Sequence, residues 1–421
     1  MKSTLPAIAL LIATATAMAQ ETKPTDESAP LLSATLATTD KESFKVTLDP
    51  IENGSIELQP PLSDDGAYEL GTVVTVHAKP AEGYSLDSIY YSVPGRWGAM
   101  YHESLTDEFK FTIDQEKHIG ASFIEADAVA HFDLRHNIVY AIPGKKELKY
   151  DVYSPKGAKD LPIVVIIHGG GWSSNDEDIM RGLARELTKD GTLVACSIDY
   201  RWIGDNDGDE KPNSMANLIE DVFGAIAHIM EHAAQYGGDA SRIGVTGDSA
   251  GGHLSAAASI LIEQIGSGGS GVREGIYHFK PTYLPGGKSA EDVRQQMLTS
   301  IKAAAPSYGV FAAEGLKGFQ RGMSGQAAEA TAPQSHIPDS SVRSVPQYLT
   351  RGTKDFLIRD DGVAAFLEAL QSKGQTVIYD QVEGAGHAFF DWKPNNEVKA
   401  TFAKYGVPYA AKMRAFFEDH L

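Results

Sequence analysis

The stretch RIGVTGDSAGGH at residues 242–253 decides how this chain is read. Its first half, from Arg242 to Thr246, has the character of a short strand inside a sheet. Its second half opens a small-residue segment, 250–265, that reads as a helix. Between them stands Ser249, with Gly247 two places before it and Gly251 two places after. A G-x-S-x-G turn in that setting is a nucleophile elbow. Small flanking residues are needed because the sharp turn brings backbones too close for side chains. The turn lifts the serine hydroxyl above the sheet and puts the following N–H groups at a helix N-terminus, where negative charge is favoured. The five-residue pattern is common by chance, and its strand–turn–helix context gives it weight.

Eighty residues upstream, the apolar run PIVVII (162–167) reads as a strand buried on both faces, and HGGGW (168–172) follows it directly. Three consecutive glycines let main-chain amides approach a reacting oxygen, as an oxyanion hole requires. Further strands are expected at 192–198, 301–306, 345–350 and 376–382. Helical stripes alternate with them: Ile179, Leu183 and Leu187; Leu218, Val222, Ile226 and Ile229; Val363, Phe366, Leu367 and Leu370. Strands alternating with helices predict an α/β fold with a doubly wound, mostly parallel sheet.

A serine hydroxyl attacks only if an imidazole takes its proton and a carboxylate holds that imidazole in the right tautomer. GTKD (352–355) and GAGH (384–387) each follow an expected strand, so Ser249, Asp355 and His387 supply the three groups in chain order. Asp360 and Asp361 compete for the carboxylate role but stand where a helix would start. His253, on the helix after Ser249, is read as packing.

These motifs, with DYR (199–201) and DASRI (239–243), resemble the HGGG-type esterase/lipase group of α/β-hydrolases, and within it secreted bacterial feruloyl and acetyl-xylan esterase-like enzymes. The resemblance covers residues 131–421. It implies an α/β-hydrolase domain that uses no cofactor and no metal, with Ser249 as nucleophile, His387 as base and Asp355 as its orienter. The N–H groups of Gly170, Gly171 and Ala250 would hold the oxyanion. DYR would be structural. The implied substrate is a small-molecule or polysaccharide-linked ester with a short or aromatic acyl group. A peptidase or amidase of the same fold, and a catalytically idle adhesion protein, are the alternatives. The chain departs from the pattern in lacking a helical cap before the domain, and in an insertion near 266–297, with Tyr277, Phe279 and Tyr283, that reads equally as a loop bordering the site or as a disordered one.

The N-terminal part differs in kind. Lys2, the apolar run 5–15 and the small-x-small triplet AMA (17–19) read as a signal peptide, which predicts a secreted or periplasmic protein. Residues 20–42 read as a flexible linker. Alternating stretches at 44–48, 72–78 and 109–113 predict a small all-β domain over 43–125 with an antiparallel sheet. It resembles bacterial repeat modules, for which a spacer or adhesion role is expected, so that hydrolysis would survive its deletion. Trp97, Tyr90, Tyr91 and Tyr101 have faces suited to stacking on sugar rings, but core packing is the commoner fate of such residues and is the expectation here.

Of 421 residues, 37 are Lys or Arg and 56 are Asp or Glu, a net charge of −19. Such acidity repels phosphate backbones and anionic lipid, which argues against nucleic-acid partners. No stretch reaches the roughly 20 apolar residues a membrane span needs. The single cysteine, Cys196, forms no internal disulfide and lies in an apolar run, so it is expected to be buried. In the acidic stretch 205–210, Glu210 stands where a calcium loop needs glycine, so the stretch reads as solvated.

Overall fold

In the computed structural model of the chain, residues 42–95, 98–207, 211–266 and 278–421 are described. The expected signal peptide, nearly all of the linker, Trp97, Tyr277 and residues 208–210 of the acidic stretch lie outside them.

Period-two alternation in the first segment produces eight strands: β1 (Ser43–Leu48), β2 (Gly54–Gln59), β3 (Ala67–Glu69), β4 (Val73–Pro80), β5 (Tyr84–Gly95), β6 (Gly98–Ser104), β7 (Glu108–Thr112) and β8 (Lys117–Glu125). They form two sheets, ordered β3-β1-β8-β5-β6 and β2-β4-β7, around Val46, Val74, Val76, Ile89, Phe111, Ile113 and Ile119. The expected single antiparallel sheet is corrected on two counts. There are two sheets, and β1 runs parallel to β8 because the pair is joined through the rest of the module and not by a hairpin. The tyrosines make no free platform. Tyr90 is buried and donates its hydroxyl hydrogen to Asp49 (3.0 Å), and Tyr101 meets its ring edge-on. Tyr91 is half-buried against Phe109 and Phe111.

The second segment builds an eight-stranded sheet from β9 (Phe132–Ala141), β10 (Leu148–Pro155), β11 (Leu161–Ile167), β12 (Val194–Ile198), β13 (Gly238–Asp248), β14 (Ile301–Ser307), β15 (Gln347–Gly352) and β16 (Val377–Val382). Its order is β9-β10-β12-β11-β13-β14-β15-β16, with β10 antiparallel to both neighbours and every pair from β12 to β16 parallel. Every residue of β12 and every residue of β15 is buried, which requires cover on both faces. The chain leaves β11 for β12 on one side and later returns to β13 on the other. The loops after β11 and β13 therefore part at a switch point, where open α/β sheets place their ligand crevice.

The helices are α1 (Arg181–Thr188), α2 (Met215–His232), α3 (Ala250–Ile260), α4 (Ala290–Ser300), α5 (Ala313–Phe319), α6 (Gly325–Thr331), α7 (Asp360–Ser372), α8 (Asn396–Thr401) and α9 (Val407–His420). All four residues of the Leu218–Ile229 stripe are buried on α2. The helix expected over 250–265 is α only to Ile260 and then tightens into a 3₁₀ turn. The described part of the insertion, 278–297, is less of a loop than expected. A Ser289/Asp292 capping box starts α4 inside it, and Phe279 and Tyr283 pack on Phe223 and His228 of α2. Asp360 and Asp361 occupy the first turn of α7, with Arg359 at the cap position. Cys196 is buried, and burial followed by the charge of Asp151 pushes its thiol up.

Candidate active site

The elbow forms where β13 meets α3. Ser249 has φ +51° and ψ −111°, a conformation that an L-residue holds only when its surroundings impose it. Those surroundings are tight. A Cβ at Gly247 or at Gly251 would collide with the carbonyl oxygen of Ile167 at the end of β11. The Ser249 N–H donates to the Ser307 carbonyl at the end of β14 (3.0 Å). Ala250 is the first residue of α3, so helix geometry leaves its N–H without an intrahelical acceptor.

Three strand ends bring the expected groups together. The Ser249 hydroxyl lies 3.0 Å from His387 Nε2, and His387 Nδ1 lies 2.8 Å from Asp355 Oδ2. The other oxygen of Asp355 accepts the N–H groups of Leu357 (2.8 Å) and Ile358 (2.9 Å). Burial pushes the Asp355 carboxyl up, but the His387 hydrogen bond and charge, with those two amides, outweigh it and hold the group below its ordinary value. Gly384 N–H donates to Thr353 Oγ1 (2.8 Å), joining the loop of Asp355 to the loop of His387. Asp360 and Asp361 stay outside this constellation: Asp360 accepts from Tyr379 and Gln381, and Asp361 pairs with Arg359.

The glycine loop packs beside the elbow. Gly170 has φ +113°, and a Cβ there would strike the Ser174 carbonyl. Ser174 Oγ donates to the Gly170 carbonyl (2.8 Å), which keeps that oxygen engaged. His168 is wholly buried, stacked on Tyr200 at 4.2 Å, and the Tyr200 hydroxyl donates to its carbonyl (2.8 Å). Asp199 lies 3.4 Å from His168 Nε2, and Arg201 pairs with buried Asp221, so the DYR segment is structural. His253 is packed as expected: Trp172 Nε1–H donates to its Nδ1, Nε2–H donates to the Thr331 carbonyl, and burial pushes its imidazole down to about 4.

One feature of the site has no counterpart among the expected residues. Asp248, the variable residue of the elbow motif, is buried and accepts the Gly169 N–H (2.6 Å), and its strongest charged neighbour is buried Asp391, four residues after His387. Burial and the neighbouring Asp391 charge push Asp248 well up, and burial pushes Asp391 up against the opposing charges of Lys393 and His387. The Gly169 bond joins the elbow to the glycine loop. Tyr308, also buried, packs edge-on against His387 at 4.9 Å.

The sheet order with one antiparallel strand near its edge, an elbow after the fifth strand and an acid–histidine pair on later loops settle the architecture. This is an α/β-hydrolase fold. Residues 150–267 of the hydrolase domain match the BD-FAE family model, and residues 44–127 match that of the divergent InlB B-repeat domain. The chain is similar to the carboxylesterase NlhH of Mycobacterium tuberculosis, 38% identical over 124 residues, which are 29% of this chain and 37% of the relative. It is also similar to the probable isoprenylcysteine alpha-carbonyl methylesterase ICMEL1 of Arabidopsis thaliana, 26% identical over 262 residues, 59% of this chain and 50% of the relative. The chain thus spans about a third to a half of the length of these curated relatives. Among solved structures, esterase 2 of Thermogutta terrifontis aligns with a TM-score of 0.49 and 23% identity, over 68% of this chain and 94% of that one.

Among the described residues no group of three His, Cys, Asp or Glu side chains is placed to hold a metal ion, and no helix is long and apolar enough to cross a membrane. In the acidic stretch, Asp207 accepts from Asn213 (2.6 Å).

Proposed function

We propose that the chain is a secreted serine carboxylic-ester hydrolase acting on short or aromatic acyl esters, carbohydrate-linked ones among them. The observation that carries the reading is the continuous relay from Ser249 through His387 to Asp355, with both contacts at hydrogen-bond distance. Ser249 Oγ attacks the ester carbonyl as its proton passes to His387 Nε2. The oxyanion is held by the N–H groups of Gly170, Gly171 and Ala250. His387 returns the proton to the departing alcohol, leaving an acyl-enzyme. A water then attacks the acyl carbon, giving its proton to His387, and the acid leaves as Ser249 Oγ regains that proton.

The preference for compact or flat acyl groups is supported by the wall beside the glycine loop. Gln320 Nε2 donates to the Gly171 carbonyl (3.4 Å), and half-exposed Phe319 meets Trp172 edge-on at 6.2 Å. An exposed ring there gives an aromatic acyl group a surface to stack on. Export is proposed on the N-terminal sequence, and polysaccharide contact through the β module on its likeness to repeat modules. A panel of acetyl to decanoyl and feruloyl esters, acetylated xylan and an aminoacyl anilide tests the reading. Short and aromatic esters are expected to be turned over and the anilide left intact. Cleavage of the anilide in preference to every ester contradicts it.

A further inference from the structure

A Ser–His–Asp triad needs no β module, yet the loop bearing this one's histidine reaches it. The loop that carries His387 runs inward through Phe389 and Phe390, both wholly buried, to Asp391 and then Trp392. Trp392 N–H donates to the Ile179 carbonyl (2.9 Å), and its ring meets Phe402 edge-on at 5.2 Å. The far end of the indole leaves the hydrolase domain: Nε1–H donates to Asp87 Oδ2 on β5 of the module (2.9 Å).

Asp87 is the hub of the junction. It also accepts from Arg181 Nε (3.0 Å), Arg185 Nη2 (2.7 Å) and Ser122 Oγ (2.9 Å), with Lys399 Nζ at 3.9 Å. Arg181 adds a 2.5 Å contact to Glu103 on β6. Arg181 and Arg185 stand one turn apart on α1, and Arg181 is completely buried. A helix of a free-standing hydrolase would point two such arginines at water. Here they form a cationic socket that the module's Asp87 and Glu103 fill. The three cations already satisfy the charge of Asp87 without help. The indole N–H adds little to that balance, and it is the one donor that comes from the segment bearing the histidine.

We infer that the β module is a working part of the hydrolase: Asp87 is a positioning residue that, by holding the Trp392 indole, fixes the loop on which His387 meets Ser249. The inference rests on His387 being the base of the proposed reaction. It also replaces the expectation that the module is a dispensable spacer.

The test uses the full chain. Trp392→Phe keeps most of the ring packing and removes the N–H; Asp87→Asn keeps the volume and removes the charge. In Trp392→Phe, kcat for 4-nitrophenyl acetate is expected to fall about 10-fold, inside the roughly 100-fold cost of a 1 Å misplacement. KM should be unchanged, and Tm should move by only about 2–4 °C. The double variant should lose less kcat than the product of the two single losses, since both break one link. The His387 imidazole titration, followed by NMR, should shift in both single variants. Wild-type kcat, pH profile and His387 titration in Trp392→Phe overturn the inference and leave the module as a docked appendage. If the wild type hydrolyses no ester, the proposed function fails by itself, and the His387 titration still decides the positioning role.

Discussion

Asp87 and Asp248 are both sealed from solvent, at 1% and 2% exposure, yet their neighbourhoods carry opposite charge. Around Asp87 stand Arg181, Arg185 and Lys399. Burial pushes its carboxyl up, but the charges of those cations outweigh burial and hold it well below the ordinary 3.8. Around Asp248 the strongest electrostatic neighbour is another acid, Asp391, and burial with that charge pushes it well above 3.8. The first site keeps its charge and ties two domains together. The second has an acid where the first has cations, and ties the elbow of Ser249 to the glycine loop. One buried aspartate is thus held by imported cations and the other by a backbone amide beside a second acid, and the difference decides what the loss of each breaks.

The largest effect is expected at the cationic socket. Asp87→Ala leaves Arg181 and Arg185 buried without their main counter-charge, which should cost about 3–5 kcal/mol. Urea unfolding of the full chain measures this, and a cost below about 1 kcal/mol would show that the two domains meet only loosely. Asp248→Ala comes next. It strips the partner from the Gly169 N–H, and about 1–3 kcal/mol of stability should go. Because that amide adjoins the oxyanion loop, kcat is expected to fall more steeply, relative to the stability lost, than in Asp87→Ala. Equal ratios in the two variants would erase the distinction.

The smallest effect is the sharpest in sign. The lowered carboxyl of Asp87 contributes stability that is present above 3.8 and is lost as pH falls through its folded value. The raised carboxyl of Asp248 does the reverse: its contribution is complete below 3.8 and fades as pH climbs through its folded value. Unfolding midpoints across the pH range should therefore show the cost of Asp87→Asn shrinking toward acid. Asp248→Asn, whose amide mimics the protonated acid, should gain on the wild type toward alkali. Parallel pH curves for the two variants would mean that the two acids titrate alike.

Much of the catalytic domain could be read without coordinates because its signals are local. The run 162–167, the four-residue stripe of α2 and the small residues around Ser249 each state their own structure. So do GTKD and GAGH, each placed at a strand end, and the structure brings Asp355 and His387 together with Ser249. The antiparallel strands β9 and β10 were not foreseen, since charged residues such as Arg135, Lys149 and Asp151 interrupt their apolar pattern. Asp87 could not be read at all. In the stretch SLDSIYY it looks like a solvent-facing residue of a strand, and its partners outside the module lie more than 90 residues away on α1 and beyond His387. Asp248 stood inside the motif, but its meaning depends on Asp391, which sequence spacing does not place. Buried electrostatics of this kind arise from tertiary pairing, which local periodicity does not encode.

The central claim, that Ser249 is the nucleophile of an ester hydrolase, is tested most directly by covalent capture. Reaction of the full chain with a fluorophosphonate, followed by peptide mass mapping, should place one adduct on the peptide containing Ser249, with ester hydrolysis lost in step. Ser249→Ala should take up no label and lose about 10⁴-fold or more in turnover. An adduct on another residue, or undiminished ester hydrolysis in Ser249→Ala, would contradict it.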